Sequence, residues 1–123
     1  MDNIEQAIQA AGADKAPRIT PADIEANIVG EFYFTAADGY RSSPCFDPSG
    51  RPDDVLPAPQ SLELLTLCVL VLRNGFTVTG ESACASPENF NAEIGRRIAR
   101  ENAIAKCWPL MGYALKERLA AKQ

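Results

Sequence analysis

Residues 62–83 read LELLTLCVLVLRNGFTVTGESA, two apolar segments on either side of Arg73-Asn74-Gly75. Asn-Gly is typical of a type I′ hairpin turn, because both turn positions require positive φ. A two-residue turn at Asn74-Gly75 would place Val71 opposite Val78. We therefore predict an antiparallel hairpin. Its predicted core face carries Leu67, Val69, Val71, Phe76 and Val78.

The segment before the hairpin is rich in proline. Five prolines lie between Tyr40 and Gln60, a density that excludes regular helix or strand. We predict a long loop over residues 40–61. Because a lone hairpin is marginal in water, we expect a third strand from this region or a second subunit to complete the sheet, and we favour a homo-oligomer.

The N-terminal third of the chain carries one clear helix start. Residues 1–16 predict a flexible or weakly helical N-terminus. Thr20 can cap a helix that begins at Pro21. A stripe of Ile24, Ile28 and Phe32, spaced by four, extends the predicted helix to Tyr33 or Thr35.

A helical segment is predicted for the C-terminal third, starting at Ser86-Pro87. Its apolar stripe comprises Phe90, Ile94, Ile98, Ala105 and Trp108. Pro109 is expected to break or kink it. The predicted fold is therefore one α+β domain over residues 17–123: an N-terminal helix, a Pro-rich loop, a central hairpin and a kinked helical segment.

The chain of 123 residues contains no histidine, which excludes Ser-His-Asp and Cys-His catalysis and histidine-based zinc sites. Gly80-Glu81-Ser82 resembles the start of a nucleophile elbow but lacks its final glycine and a base. Four acidic residues show no metal-ligand spacing and are read as exposed faces: Glu81, Glu88, Glu93 and Glu101. We predict a non-enzymatic protein without catalytic residues, metal or cofactor.

Cysteine usage and the N-terminus favour an intracellular protein. Four cysteines form no Cys-x-x-Cys pair, and we expect free thiols, with Cys68 and Cys84 as small core or strand residues. Residues 1–5 lack the features of a secretory signal. The longest apolar run, residues 62–72, is too short to span a bilayer.

The net charge of −4 is unevenly distributed. Residues 1–87 carry twelve acids and five bases, whereas residues 88–123 carry four acids and seven bases. General nucleic-acid binding is therefore not expected, but a local anion site is. Arg96, Arg97 and Arg100 are the candidate phosphate or carboxylate ligands.

Aromatic residues supply two further hypotheses. Phe76 and Trp108 could stack on the base of a nucleotide-like ligand held by the three arginines. Trp108 and Tyr113 flank Pro109 and could instead anchor a protein partner.

Several motifs together resemble a family of small tailed-phage and prophage proteins, named after a Shigella-phage gene-66 product and a coliphage gene-product-49. The similar segments are PRITPADIE at 17–25, FTAADG at 34–39, LVLRNGFTVTGES at 70–82, SPENF at 86–90 and WPL followed by GY at 108–113. The resemblance covers residues 17–39 and 65–119. It implies a phage origin and the host cytoplasm as the setting, and it supplies no catalytic residue.

These observations predict a phage accessory protein that acts by binding. The leading hypothesis is counter-defence by capture of an anionic, nucleotide-like ligand. One alternative is a binder of a host protein through the aromatic hinge or loop 41–61. Another is a minor structural protein of the virion.

Overall fold

The computed structural model describes residues 3–43 and 57–122. These residues form two helices, a strand, two further short helices, a hairpin of two strands and a long helix. Their bounds are α1 Asn3–Ala10, α2 Pro21–Asn27, β1 Ile28–Thr35, α3 Ala36–Ser42, α4 Gln60–Glu63, β2 Leu65–Leu72, β3 Thr77–Ala83 and α5 Ala92–Ala121. The predicted α+β class is confirmed, and β2 and β3 form the predicted central antiparallel hairpin.

The predicted N-terminal helix is correct only for its first two turns. A capping box starts it: Thr20 Oγ1 accepts from the Asp23 amide at 3.1 Å, and Asp23 Oδ2 accepts from the Thr20 amide at 2.9 Å. After Asn27 the chain continues as β1, which pairs antiparallel with β2 in a sheet of order β1-β2-β3. Residues 28–35 are rich in β-branched and aromatic side chains, so strand propensity and pairing with β2 outweigh the spacing by four.

The third strand of the sheet therefore comes from residues 28–35. The described parts of the predicted loop, residues 40–43 and 57–61, contribute no strand to it. Most of the predicted Pro-rich loop lies outside the described residues. Its predicted start falls within α3, which a second capping box initiates: Thr35 Oγ1 accepts from the Asp38 amide at 3.1 Å. That Thr-x-x-Asp pattern was a readable helix signal.

The hairpin turn is one residue longer than predicted. Its loop is Arg73-Asn74-Gly75, with Gly75 at a φ of 90° and the Leu72 amide donating to the Phe76 carbonyl at 2.8 Å. A three-residue loop with glycine in the left-handed region is another favoured hairpin connection. Val71 consequently pairs with Thr77 rather than with Val78.

This register places the other side of β2 in the core. Val78 is buried as predicted, but its β2 companions are Thr66, Cys68, Leu70 and Leu72. Leu67, Val69 and Val71 are only half-buried on the opposite face, and Phe76 is 55% exposed. A slip of one residue exchanges the faces of a strand relative to its partner.

Helix α5 packs across one face of the sheet, and the residues that it buries there are small. It begins at Ala92, capped by Asn91 Oδ1, which accepts from the Ile94 amide at 3.0 Å, so the predicted start at Ser86 is wrong. A 3-10 turn at Pro87–Asn89 occupies that place. The residues of α5 that are buried against the sheet are Gly95, Ala99, Ala103 and Cys107.

The predicted large apolar stripe of this helix is therefore not its packing face. Ile94, Ile98 and Trp108 are 53%, 42% and 39% exposed. The helix also continues through Pro109 to Ala121, so the predicted break is absent. A proline interrupts only one backbone hydrogen bond, and the turns on both sides maintain the helix. No helix among the described residues is long and apolar enough to cross a membrane.

Gly80 explains why small residues line this contact. A Cβ atom on Gly80 would lie 2.2 Å from the Ala99 carbonyl oxygen and 2.3 Å from the Ala103 amide nitrogen. The backbones of β3 and α5 are therefore in direct contact. Cys68 lies opposite Gly80 on β2, so the neighbouring strand also presents a small side chain there.

Candidate functional site

Arg100 connects α5 to α2 and to strand β1. Its Nη1 and Nη2 donate to the two carboxylate oxygens of Glu25 on α2, at 3.0 and 2.7 Å. Its Nε donates to Glu31 on β1 at 2.8 Å. These bonds raise the pKa of Arg100, chiefly through Glu25. All three donor groups of this guanidinium are thus engaged within the protein.

The Arg100 network extends to a buried thiol through β1. Glu31 also accepts from the Tyr33 hydroxyl at 2.7 Å, and its pKa is lowered by Arg100 first and by Tyr33 second. Desolvation and the bond to Glu31 raise the pKa of Tyr33. Desolvation also raises the pKa of Cys68, which pairs with Tyr33 across the strands. The network holds α2, β1 and α5 together.

The other predicted ligand residues do not converge on Arg100. Arg96 lines a small pocket of about 120 Å³ beside Phe34, Asp38 and Phe90. Arg97 is exposed and makes no ion pair among the described residues. Arg96 and Trp108 are twelve positions apart on one continuous helix, a rise of about 18 Å.

The predicted aromatic residues lie at separate places. Phe76 is at the end of the hairpin loop. Trp108 lines a groove of about 320 Å³ with Ile4, Ile8 and Pro21. Tyr113 is 70% exposed on α5 and packs little. The structure thus distributes the predicted ligand set over several surfaces.

A different set of arginines shares one cavity. An open cleft of about 720 Å³ lies between α2, the hairpin loop and the C-terminal half of α5, and we call it the arginine cleft. Its polar lining residues are Arg18, Asp23, Asn27, Arg73, Asn74 and Arg118. Its apolar lining residues are Ile19, Ala26, Met111, Ala114 and Leu115.

Each wall of the arginine cleft is positioned by a local feature of the chain. Arg18 and Ile19 directly precede the Thr20 cap of α2. The Arg73 amide donates to the Asn27 carbonyl at 2.9 Å, which ties the hairpin loop to the end of α2. On α5, residues 111, 114, 115 and 118 follow the spacing of one helical face.

The charges in this cleft are predominantly positive. Three arginines and one aspartate line it, in a chain whose net charge is −4. Arg18 is balanced by Glu5, so the unpaired positive charges are those of Arg73 and Arg118. Arg73 donates through Nη2 to the Ala26 carbonyl, a bond that leaves its positive charge unbalanced. Arg118 is exposed and forms no ion pair within residues 3–43 and 57–122. The cleft can therefore accept an anion.

The lining also suits the uncharged part of such a ligand. Asn74 Oδ1 accepts from the Phe76 amide at 2.9 Å, which holds this side chain in the hairpin loop. Ile19 and Met111 are half-buried and pack against the main core. Guanidinium groups bind phosphate in a forked geometry, and an apolar floor with a few polar groups is typical of small-molecule sites.

Arg18 is shared between this cleft and α1. Its Nη1 donates to Glu5 Oε2 at 3.1 Å, and its Nη2 pairs with Glu5 Oε1. Glu5 is only 8% exposed, and Arg18 lowers its pKa, mainly through this hydrogen bonding. The Glu5–Arg18 ion pair thus holds α1 over the groove that contains Trp108.

Removal of this ion pair is expected to release α1. Trp108 is the one tryptophan of the chain, so Glu5→Ala should shift its fluorescence emission to longer wavelength at neutral pH. Because the Glu5 pKa is lowered from 4.5, the pair is fully formed above that value and is lost as the pH falls through the lower pKa of the folded state. Acidification of the wild-type protein should therefore produce the same shift. Glu101→Ala, at an exposed site on α5, is the control, and an unchanged Glu5→Ala spectrum would contradict this role.

No catalytic or metal constellation accompanies the cleft. Among the described residues no group of three or more Cys, Asp or Glu side chains could hold a metal ion. Ser82 lies on β3, and the chain has no histidine to activate it. Sequence reasoning missed Arg18, Arg73 and Arg118 because they are up to one hundred residues apart. The arginine inside the hairpin loop was the one local signal, since loops of rigid scaffolds carry binding residues.

Comparison with known proteins identifies a family. A profile described as "Phage protein (N4 Gp49/phage Sf6 gene 66) family" matches residues 19–119. It covers every strand and most of α5, whereas α1 lies outside it. No curated protein matches the chain. No solved structure matches it either.

Proposed function

The chain belongs to the phage protein family of N4 Gp49 and phage Sf6 gene 66, and from that premise we propose that it is a phage accessory protein that binds an anionic, nucleotide-like molecule in the host cytoplasm. The arginine cleft carries this proposal. Arg73 and Arg118 present positive charge beside an apolar floor, and Arg18, which pairs with Glu5, lies at its edge, in a chain whose net charge is −4. Stoichiometric capture of a signalling nucleotide would make it a counter-defence protein.

Binding, rather than turnover, fits the chemistry of the cleft. Its titratable residues are three arginines and Asp23. The Asp23 carboxylate already accepts from the Thr20 amide at 2.9 Å. Arginine stays protonated in proteins and is a poor proton carrier. The cleft therefore offers charge and shape, and it offers no nucleophile or general base.

Isothermal titration calorimetry with a panel of nucleotides tests the proposal. The panel includes nucleoside mono- and triphosphates, cyclic mononucleotides, and linear and cyclic dinucleotides. We expect at least one class to bind, and Arg118→Glu to lower its affinity about tenfold or more, because a charge-assisted bond to phosphate is lost. Arg118 has no ion pair among the described residues, so the variant should keep its fold.

Arg97→Glu is the matched control. It makes the same charge change on the same helix but lies outside the cleft. Its affinity should stay within about twofold of the wild-type value, because exposed charges outside a site act weakly through solvent. An equal loss in Arg97→Glu would indicate general electrostatic attraction. Absence of binding across the panel would overturn the proposal.

The same titration tests the site predicted from sequence. Arg96 lies in its own small pocket, away from the three cleft arginines. If Arg96→Ala abolishes binding while Arg118→Glu does not, the ligand binds near the start of α5 rather than in the arginine cleft.

Capture of a host protein is the second candidate. The exposure of Trp108 and Tyr113, at 39% and 70%, favours it, because large aromatic residues often anchor interfaces. Such a partner would contact α5 and α1 rather than the arginine cleft.

A further inference from the structure

Two adjacent residues, Arg18 and Ile19, belong to two cavities at once. They line the arginine cleft on one side and the groove of Trp108 on the other. Helix α1 contributes Ile4 and Ile8 to that groove. Arg18 is therefore the residue through which an occupant of the cleft can act on α1.

Helix α1 is held in place by a carboxylate rather than by a buried apolar side chain. Among its eight residues Glu5 is the buried one, whereas Ile4 is 68% exposed and Ile8 is half-buried. Residues 13–17, which lead from α1 to Arg18, are exposed. Because a helix of this length is marginal by itself in water, α1 depends on the Glu5–Arg18 ion pair.

This ion pair occupies the part of the Arg18 side chain that a phosphate group would use. Nη1 and Nη2 donate to the two carboxylate oxygens of Glu5, and guanidinium binds carboxylate and phosphate in the same forked geometry. A phosphate at this edge would have to displace Glu5. A phosphate at the Nε edge would lie close to the Glu5 carboxylate and be repelled by it. In either position Glu5 lowers the affinity of the cleft for an anion.

Loss of Arg18 to a ligand has a consequence for α1. Glu5 is only 8% exposed, and a buried carboxylate that loses its counter-ion is strongly unfavourable. The carboxylate regains its hydration when it moves into water, and α1 moves with it. Occupation of the cleft at Arg18 and attachment of α1 therefore oppose each other.

We propose that α1 is an inhibitory element of the arginine cleft: Glu5 competes with an anionic ligand for Arg18, and a ligand that takes Arg18 releases α1. This regulation rests on the anion binding proposed above. Arg73 and Arg118 supply positive charge in both states, and Arg18 supplies the charge that α1 controls. Because coupling between two binding events is reciprocal, release of α1 tightens anion binding and anion binding releases α1.

Isothermal titration calorimetry with inorganic pyrophosphate, which carries phosphate charge without a base, tests the competition. Glu5→Gln should bind pyrophosphate about fivefold or more tightly than the wild type, at the lower end of typical coupling between sites. Glu101→Gln is the matched control, because it makes the same charge change at an exposed position of α5 outside the cleft. Its affinity should stay within about twofold of the wild-type value. In an Arg18→Gln background, Glu5→Gln should bring no gain.

The fluorescence of Trp108 tests the reverse direction of the coupling. Saturating pyrophosphate should shift the wild-type emission to longer wavelength, because α1 leaves the groove that Trp108 lines. Glu5→Gln should show the shifted emission without ligand and no further shift with it. The wild-type titration needs no substitution, so it tests the coupling independently of any effect of Glu5→Gln on folding.

The outcomes separate this proposal from the anion site on which it rests. If the wild type binds pyrophosphate and Glu5→Gln binds it equally or more weakly, the inhibitory role is overturned and the anion site stands. A gain that persists in the Arg18→Gln background, or a wild-type emission unchanged at saturation, would also overturn the inhibitory role. Absence of binding by both the wild type and Glu5→Gln would overturn the anion site itself.

Discussion

Gly80→Ala is expected to destabilise the protein by about 3 kcal/mol, the upper range for overpacking a core. The added methyl group would lie 2.2 Å from the Ala99 carbonyl oxygen, 2.3 Å from the Ala103 nitrogen and 2.9 Å from the Ala103 Cα. These are backbone atoms of α5, so no rotamer change can relieve the contact. The helix has to move away from β3. That movement would loosen its contacts with Cys68 and Leu70.

Urea unfolding followed by circular dichroism measures this effect, and Gly112→Ala is its control. Gly112 lies on the same helix, and a Cβ atom there would have no neighbour within 4 Å. Alanine is the better helix former, so this variant should gain about 0.5–1 kcal/mol. Opposite signs for the two substitutions are therefore expected. A Gly80→Ala midpoint equal to that of the wild type would contradict the close approach of α5 to β3.

Arg100→Gln is expected to destabilise the protein by about 2 kcal/mol at neutral pH. The substitution removes charge-assisted hydrogen bonds to Glu25 and Glu31, each stronger than a neutral bond. It also leaves two carboxylates side by side without a counter-ion. The Arg100 side chain is 28% exposed, so water compensates for part of the loss.

The pH dependence of this loss follows from Glu31. Arg100 lowers the Glu31 pKa from 4.5, so the stabilisation is fully present above that value. It is lost as the pH falls through the lower pKa of the folded state. The free energies of unfolding of the wild type and of Arg100→Gln should therefore converge below about pH 4.

Arg97→Gln controls for the loss of a positive charge on α5. Arg97 is exposed and has no ion pair among the described residues, so its substitution should change stability by less than about 0.5 kcal/mol. Equal effects of Arg97→Gln and Arg100→Gln would show that the network of Glu25, Glu31 and Arg100 does not stabilise the fold. The comparison separates a structural arginine from a free one.

For the hairpin, the local sequence pattern predicts the strands and their pairing but not their register. Two apolar runs around Asn74-Gly75 predict the two strands and their antiparallel pairing, because the turn and the strands lie within twenty residues. The register could not be predicted from the turn alone. Two-residue and three-residue loops both accommodate Asn-Gly, and they differ in which face of β2 lies beside Val78 in the core, a choice made by packing against α5.

The same distinction holds for the two predicted helices. Thr20 and Asp23 correctly placed the start of α2, since a capping box is a contact within four residues. The end of α2 was wrong because residues 28–35 gain more from pairing with β2 than from continuing a helix. On α5, the stripe of large residues suggested the wrong face, since the close backbone of β3 admits only small side chains.

The sequence predicted that the protein binds an anion, but it did not predict where the binding residues lie. Clustered arginines and an acidic remainder indicated an anion site, but Arg100 belongs to an internal ion-pair network. The cleft arginines come from the entry to α2, the hairpin loop and the last turns of α5. No spacing in the chain connects Arg18, Arg73 and Arg118.

The sequence by itself determined the class of fold, the hairpin, the helix cap at Thr20, the phage family and the absence of histidine chemistry. These depend on composition or on contacts between near neighbours. Tertiary structure alone decided the third strand, the face of α5 that is buried, the fate of Arg100 and the position of the arginine cleft. The physical reason is that such features follow from packing between distant segments. In that packing, the absence of a methyl group at Gly80 and a shift of one residue in the strand register have more effect on which side chains are buried than local secondary-structure propensity has.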